Sequence, residues 1–139
     1  MSAYEIVPRV WFGAAEHTYN PEFMLQITHI VNVDDTPTST NIWARNGRQF
    51  LHLPCEDNHS FPILQTHSES LFEFTDRALS NPEARVFIHC YMGINRSAAL
   101  AVAYAAHVLK SSPTEIIASV RANGRPILTN TSFENQLLK

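Results

Sequence analysis

At 139 residues, with 45% hydrophobic and 17% charged side chains, the chain is sized for one globular domain built around a single core. A formal charge of -3 argues against a broad polyanion-binding surface, and so against an extended nucleic acid as partner, but leaves room for one local basic pocket. The longest apolar stretch, Ala98 to Ala106, is far too short to cross a bilayer, and the opening MSAYEIVPRVWFG has no basic region followed by an apolar run. No membrane span or signal peptide is therefore expected, and a cytoplasmic location, with the nucleus also open, is the expectation.

In chain order, Glu5 to Phe12 reads as a strand pair turned at Pro8, Pro21 to Ile27 as a short helix, and Thr28 to Val33 as a buried strand. Asp34 to Gly47 is polar and predicts a surface loop, after which Gln49 to Pro54 resumes as a strand. Phe61 to Leu79 predicts an amphipathic helix broken or bent around Thr66 to Ser68, and Val86 to His89 a central strand. Ser97 to Leu109 is Ala-rich and helical. Ser112 and Pro113 open a further helix that Gly124 ends, and Thr131 to Leu138 forms a last one capped by Asn130 or Thr131. The alternation predicts an α/β fold over residues 1–139, a central, mostly parallel sheet flanked by helices.

Two cysteines, Cys55 and Cys90, are too few for a disulfide framework and stand in no metal-ligand spacing. The seven histidines include no HxH or HExxH grouping, so no metal and no cofactor is expected. Trp11, Trp43, Phe61, Phe72 and Phe74 read as packing residues rather than a base-stacking platform.

The chemistry concentrates in His89-Cys-Tyr-Met-Gly-Ile-Asn-Arg-Ser97, between an apolar strand and an Ala-rich helix. A loop at that junction aims backbone N–H groups in one direction and adds the positive end of the helix dipole, which makes a cradle for one anion. Tyr91, Met92, Gly93, Ile94, Asn95 and Arg96 would supply the amides. Gly93 permits the tight curvature, and Arg96 adds a guanidinium that grips two phosphate oxygens. In this environment the Cys90 thiol is expected to lose its proton readily and act as a nucleophile. Ser97 would donate a hydrogen bond to its sulfur, and His89 would shape the loop by hydrogen bonding. A carboxylic acid on a neighbouring loop would protonate the leaving oxygen; Asp57, 33 residues before Cys90, is the candidate, with Glu56 its competitor.

His89, Cys90, Gly93, Arg96 and Ser97 reproduce the HCxxGxxRS signature, and the chain thereby resembles the cysteine-based protein tyrosine phosphatase superfamily, in particular its dual-specificity branch. The resemblance extends to Arg9-Val-Trp-Phe-Gly13, to Thr28–Val33 and to the closing segment around Asn130, Phe133 and Gln136. It implies phosphotyrosine and phosphoserine or phosphothreonine in proteins as substrates, a Cys90 thiophosphate intermediate, and Asn130 either bracing the phosphate loop through side-chain hydrogen bonds or serving as an ordinary helix cap.

Two positions depart from the usual pattern. Met92 replaces a small residue at the pocket rim, and Asn95 is similar to the GxNR variant of RNA 5′-phosphatases. An RNA 5′-triphosphatase or a phosphoinositide phosphatase therefore stays open as an alternative, and a phosphopeptide-binding module as a non-enzymatic one. Cys55, two residues before Asp57, is either an ordinary buried thiol or a partner for Cys90 in a reversible disulfide.

Overall fold

The computed structural model describes residues 1–36 and 47–139. The part of the predicted polar loop at 37–46, with Trp43, lies outside the described residues.

The chain opens with a hairpin. Strands β1 (Tyr4–Val7) and β2 (Val10–Ala14) pair antiparallel around Pro8 and Arg9. Arg9 takes a left-handed φ of 71° at the turn, and its amide donates to Oε2 of Glu5 at 2.8 Å. Its guanidinium donates to the carbonyls of Leu79, Asn81 and Ala84, which fastens the hairpin to the far end of a helix. A short 3-10 turn over Ala15–Tyr19 leads into α1 (Pro21–Gln26), where Asn20 caps the amides of Glu22 and Phe23 and Pro21 occupies the first helical position.

Strands β3 (His29–Asn32) and β4 (Gln49–His52) follow, then helix α2 (Ile63–Leu79). Strand β5 (Val86–Cys90) leads into α3 (Arg96–Leu109), and α4 (Pro113–Ala122) and α5 (Thr131–Leu137) complete the chain. The sheet order is β1-β2-β5-β3-β4, with β2, β5, β3 and β4 parallel and only β1 reversed. All five residues of β5 are buried, as a central strand covered on both faces requires.

Helix α2 is continuous, which corrects the expected break around Thr66 to Ser68. The polar run interrupts the apolar pattern without interrupting the backbone: the Thr66 N–H donates to the Pro62 carbonyl at 3.0 Å, and its hydroxyl turns back to the same oxygen at 2.7 Å. His67 is buried, its Nε2 2.7 Å from the Pro54 carbonyl oxygen. The helix also begins at Ile63 rather than Phe61.

The two faces of the sheet are covered unequally. On one face, α3 packs against α2, α4, α5 and the strands, with every residue from Ser97 to Tyr104 at most 9% exposed. Its run of alanines lets these elements approach closely, and fully buried side chains such as Leu100 and Ile88 each contribute about 1.5–3 kcal/mol. On the other face α1 closes a smaller cluster of Met24, Ile27, Ile30 and Phe87, with Phe23 edge-on to Phe87 at 4.9 Å. The carboxyl ends of the parallel strands thus share one edge. Ala14, Asn32, His52 and Cys90 all end there, where open α/β sheets place their ligand crevice.

Among the described residues, no helix is long and apolar enough to cross a membrane.

Candidate active site

Cys90 is the last residue of β5 and is buried, 1% exposed, at the floor of the loop that joins β5 to α3. The Gly93 amide donates to its sulfur at 3.2 Å, and the Ser97 hydroxyl lies 3.3 Å from it. The Ser97 hydroxyl also donates to the Gly13 carbonyl at 3.1 Å, so it is shared between the sulfur and the neighbouring strand. Gly93 has a φ of 74°, and a Cβ there would stand 2.7 Å from the Gly13 carbonyl carbon. Both its conformation and its surroundings require glycine.

The loop is latched from two sides. Ala15 N–H donates to the Tyr91 carbonyl at 3.2 Å, and Leu128 N–H donates to the Ile94 carbonyl at 2.9 Å. With these carbonyls held outward by the scaffold, the intervening amides are left to face inward. Asn95 precedes α3 yet makes no capping bond to its first turn, because its side chain is directed elsewhere. The first-turn N–H groups of a 14-residue helix therefore stay available to an anion at the positive end of its dipole.

Arg96, the first residue of α3, is held by its Nη1, which donates to Oδ1 of Asp34 at 3.2 Å and to the Cys55 carbonyl at 3.1 Å. Asp35 stands 3.5 Å from the same nitrogen. A side-chain hydrogen bond with Asp34, aided by the Arg96 charge, holds the Asp35 carboxyl below the usual carboxylate range. The Nε of Arg96 is buried and has no partner among the described residues. A buried guanidinium N–H without an acceptor is expensive. Its position in the cradle fits an oxyanion as the missing partner.

Asp57 follows β4 and is exposed, and both its carboxylate oxygens are engaged. Asn95 Nδ2 donates to Oδ2 at 3.1 Å, and Asn130 Nδ2 donates to Oδ1 at 2.9 Å. Among the described residues Glu56 has no such link; its carboxylate accepts from Asn58 at 3.4 Å. Asn130 combines two functions. Its oxygen caps α5 through the amides of Ser132 and Phe133, while its nitrogen reaches Asp57 and the Asn58 carbonyl. Of the two readings of Asn130, the helix cap is the one seen; among the described residues its side chain makes no hydrogen bond to the phosphate loop and instead braces the acid-bearing loop, while its backbone amide donates to Oδ1 of Asn95 at 2.8 Å.

His89 also differs from expectation. The ring is buried against Phe87, 5.6 Å between centroids, and neither nitrogen has a hydrogen-bond partner among the described residues. It supports the loop by packing. Burial lowers its pKa to about 4, outweighing the opposing effect of the adjacent Cys90 backbone. Tyr91 and Met92 lie at the rim, 65% and 63% exposed, and with Tyr19 they line an open cavity beside the loop. Cys55 is a buried thiol bonded to the Leu53 carbonyl, and burial pushes its pKa up to about 12. That environment keeps it protonated at neutral pH.

Sequence reasoning missed Asp34 and Asp35 beside Arg96, and Ala15 and Leu128 as latches. The first pair was within reach, because two carboxylates directly after a parallel strand fall on the edge that carries the crevice.

A thiol at the floor of a strand-to-helix loop, an arginine at the helix start and a carboxylate on a facing loop are the groups that a phosphate-monoester site of the cysteine type requires. The comparisons with known proteins carry this to a family. The model of the dual specificity phosphatase catalytic domain matches residues 10–139, and the chain belongs to that family. It is 32% identical over 137 residues to human dual specificity protein phosphatase 1, covering 97% of this chain and 36% of that protein. It is 30% identical over 140 residues to bovine dual specificity protein phosphatase 26, covering 98% of this chain and 65% of that protein. The chain therefore spans about a third of the first relative and just under two thirds of the second. Among solved structures, DUSP15 superposes with a TM-score of 0.88 at 19% identity, covering 99% of this chain and 85% of the other. Human DUSP28 gives 0.84 at 21%, covering 99% and 90%.

Proposed function

We propose that residues 1–139 form one catalytic domain that hydrolyses phosphotyrosine and phosphoserine or phosphothreonine in proteins, and that it works in the cytoplasm or nucleus without a cofactor. The observation that carries this reading is the buried Nε of Arg96, without an acceptor among the described residues, on the residue that ends a loop whose first residue is Cys90. An oxyanion held there would place its phosphorus over a nucleophile.

In the first step a sulfur lone pair of Cys90 forms the S–P bond. The P–O bond to the substrate breaks, its electron pair going to the leaving oxygen, and Asp57 delivers a proton to that oxygen. The loop amides from Tyr91 to Arg96 and the Arg96 guanidinium hold the three equatorial oxygens. In the second step Asp57, now a carboxylate, takes a proton from water as the water oxygen attacks phosphorus. The S–P bond breaks, its pair returns to sulfur, and inorganic phosphate leaves. The Ser97 hydroxyl, 3.3 Å from the sulfur, is placed to donate to the departing thiolate.

The test compares phosphate release by wild type and Cys90→Ser from a phosphotyrosine peptide, a phosphothreonine peptide and 5′-triphosphorylated RNA. Release from both peptides that is lost in the variant is the expected result. Release from RNA alone would move the activity to a different substrate class, and no release from any of the three would leave a binding module.

A further inference from the structure

The side chain of Asn95 belongs to the phosphate loop, yet its contacts lie on the opposite wall. Its oxygen accepts the backbone N–H of Asn130 at 2.8 Å. A backbone N–H can only donate, so that contact fixes which end of the amide faces which way. The NH2 group must then point at Asp57, where it donates to Oδ2 at 3.1 Å, with the Thr129 hydroxyl beside it at 3.1 Å. Asn130 holds the other carboxylate oxygen at 2.9 Å.

An exposed carboxylate on a loop would otherwise sample several orientations. Here two amide donors from two different elements fix it. Each carboxylate oxygen has two lone-pair sites, and each donor occupies one, so a site remains for the proton that goes to the leaving group.

We propose that the Asn95 side chain is a positioning residue for proton donation, fixing Asp57 relative to the phosphate loop so that the oxygen leaving phosphorus and the proton it needs meet in one geometry. This rests on the reading of Asp57 as proton donor. Serine at position 95 is one bond too short to restore the contact, and aspartate would set a like charge against Asp57.

The leaving group tests it. Phenyl phosphate needs proton donation far more than p-nitrophenyl phosphate, because nitrophenolate departs readily without a proton. Asp57→Asn is expected to widen the ratio of kcat on p-nitrophenyl to phenyl phosphate by about a hundredfold or more. Asn95→Ala and Asn95→Ser should widen it by roughly tenfold, within the range that small misplacements of a reacting group produce. The double variant Asp57→Asn with Asn95→Ala should be no worse than Asp57→Asn alone. Tungstate titration of Cys90→Ser with and without Asn95→Ala checks the loop itself, and affinities within a few-fold are expected since the cradle is backbone.

Equal slowing of both substrates by the Asn95 variants, or multiplicative losses in the double variant, would overturn the proposal. If Asp57→Asn itself slows both substrates equally, the proton-donor premise falls and the proposal with it. A wild type inert on both would instead remove the phosphatase reading.

Discussion

Arg96 Nη1 lies 3.2 Å from Oδ1 of Asp34, in a pair whose side chains are only 11% and 14% exposed. The contact takes one end of the guanidinium, while Nε is buried and without a partner among the described residues, free for a substrate oxygen on the proposed reading. Arg96 is thus oriented before any phosphate arrives. In Asp34→Ala, kcat/KM is expected to fall roughly ten- to a hundredfold, the range of a charge-assisted hydrogen bond. Asp34→Asn should recover part of it. Initial-rate kinetics on a phosphotyrosine peptide would measure both, and unchanged rates in Asp34→Ala would remove the orienting role.

Gly93→Ala should damage the fold and the site together. The added methyl meets the backbone of Gly13 and Ala14 at 2.7 and 2.8 Å, and the residue must also hold a φ of 74°. A loss of about 1–3 kcal/mol in urea unfolding is expected, with phosphate release abolished. An alanine variant of full stability and activity would contradict the described loop path.

Ser97→Ala addresses the second chemical step. The hydroxyl stands between the Cys90 sulfur and the Gly13 carbonyl, so it can turn toward the sulfur when a thiolate forms. Rapid-quench kinetics on p-nitrophenyl phosphate should show a burst of nitrophenol followed by slow turnover, because the thiophosphate accumulates. A uniformly slow reaction without a burst would place the role of Ser97 in the first step.

The buried His89 makes stability depend on pH with a definite sign. Its folded pKa of about 4 lies below the ordinary 6.5, so between these values the unfolded chain binds more protons than the folded one. Stability is then full above pH 6.5 and falls as pH drops through that window, by ~3 kcal/mol in all. Burial lowers the pKa of His29 as well, which adds in the same direction. Urea titrations of wild type and His89→Asn across this range should show a shallower pH dependence in the variant; identical slopes would refute the assignment.

Much of this molecule can be read from its residues because local chemistry and position coincide. Pro21, Pro113, Ser112 and Asn130 sit at helix starts where caps and missing N–H groups are favourable, and the strands are short apolar runs bounded by polar turns. The loop from His89 to Ser97 is legible because glycine, arginine and a cysteine are needed at fixed offsets between a strand and a helix. The details set by contacts across the chain are not. Nothing adjacent to Asn95 in sequence tells that its amide meets Asp57, 38 residues away, or that Asp34 pairs with Arg96, 62 residues away. Nor does the pattern show that the His89 ring has no hydrogen-bond partner among the described residues, since its burial depends on Phe87 and the strands on either side. The polar run in α2 misleads for a related reason: Thr66 and Ser68 lie within an unbroken backbone ladder, and buried His67 between them bonds to Pro54, 13 residues away.

The latches at Ala15 and Leu128 grip the carbonyls of Tyr91 and Ile94, not their side chains. The curvature of the loop therefore places no demand on what residues 91, 92 and 94 carry. On the proposed reading, the molecule separates the part that would hold a phosphoryl group, written in backbone, from the part that would meet whatever the phosphoryl group is attached to, written in side chains. Exchanging the exposed Tyr91 and Met92 is then expected to change substrate preference while the cradle beneath them keeps its shape.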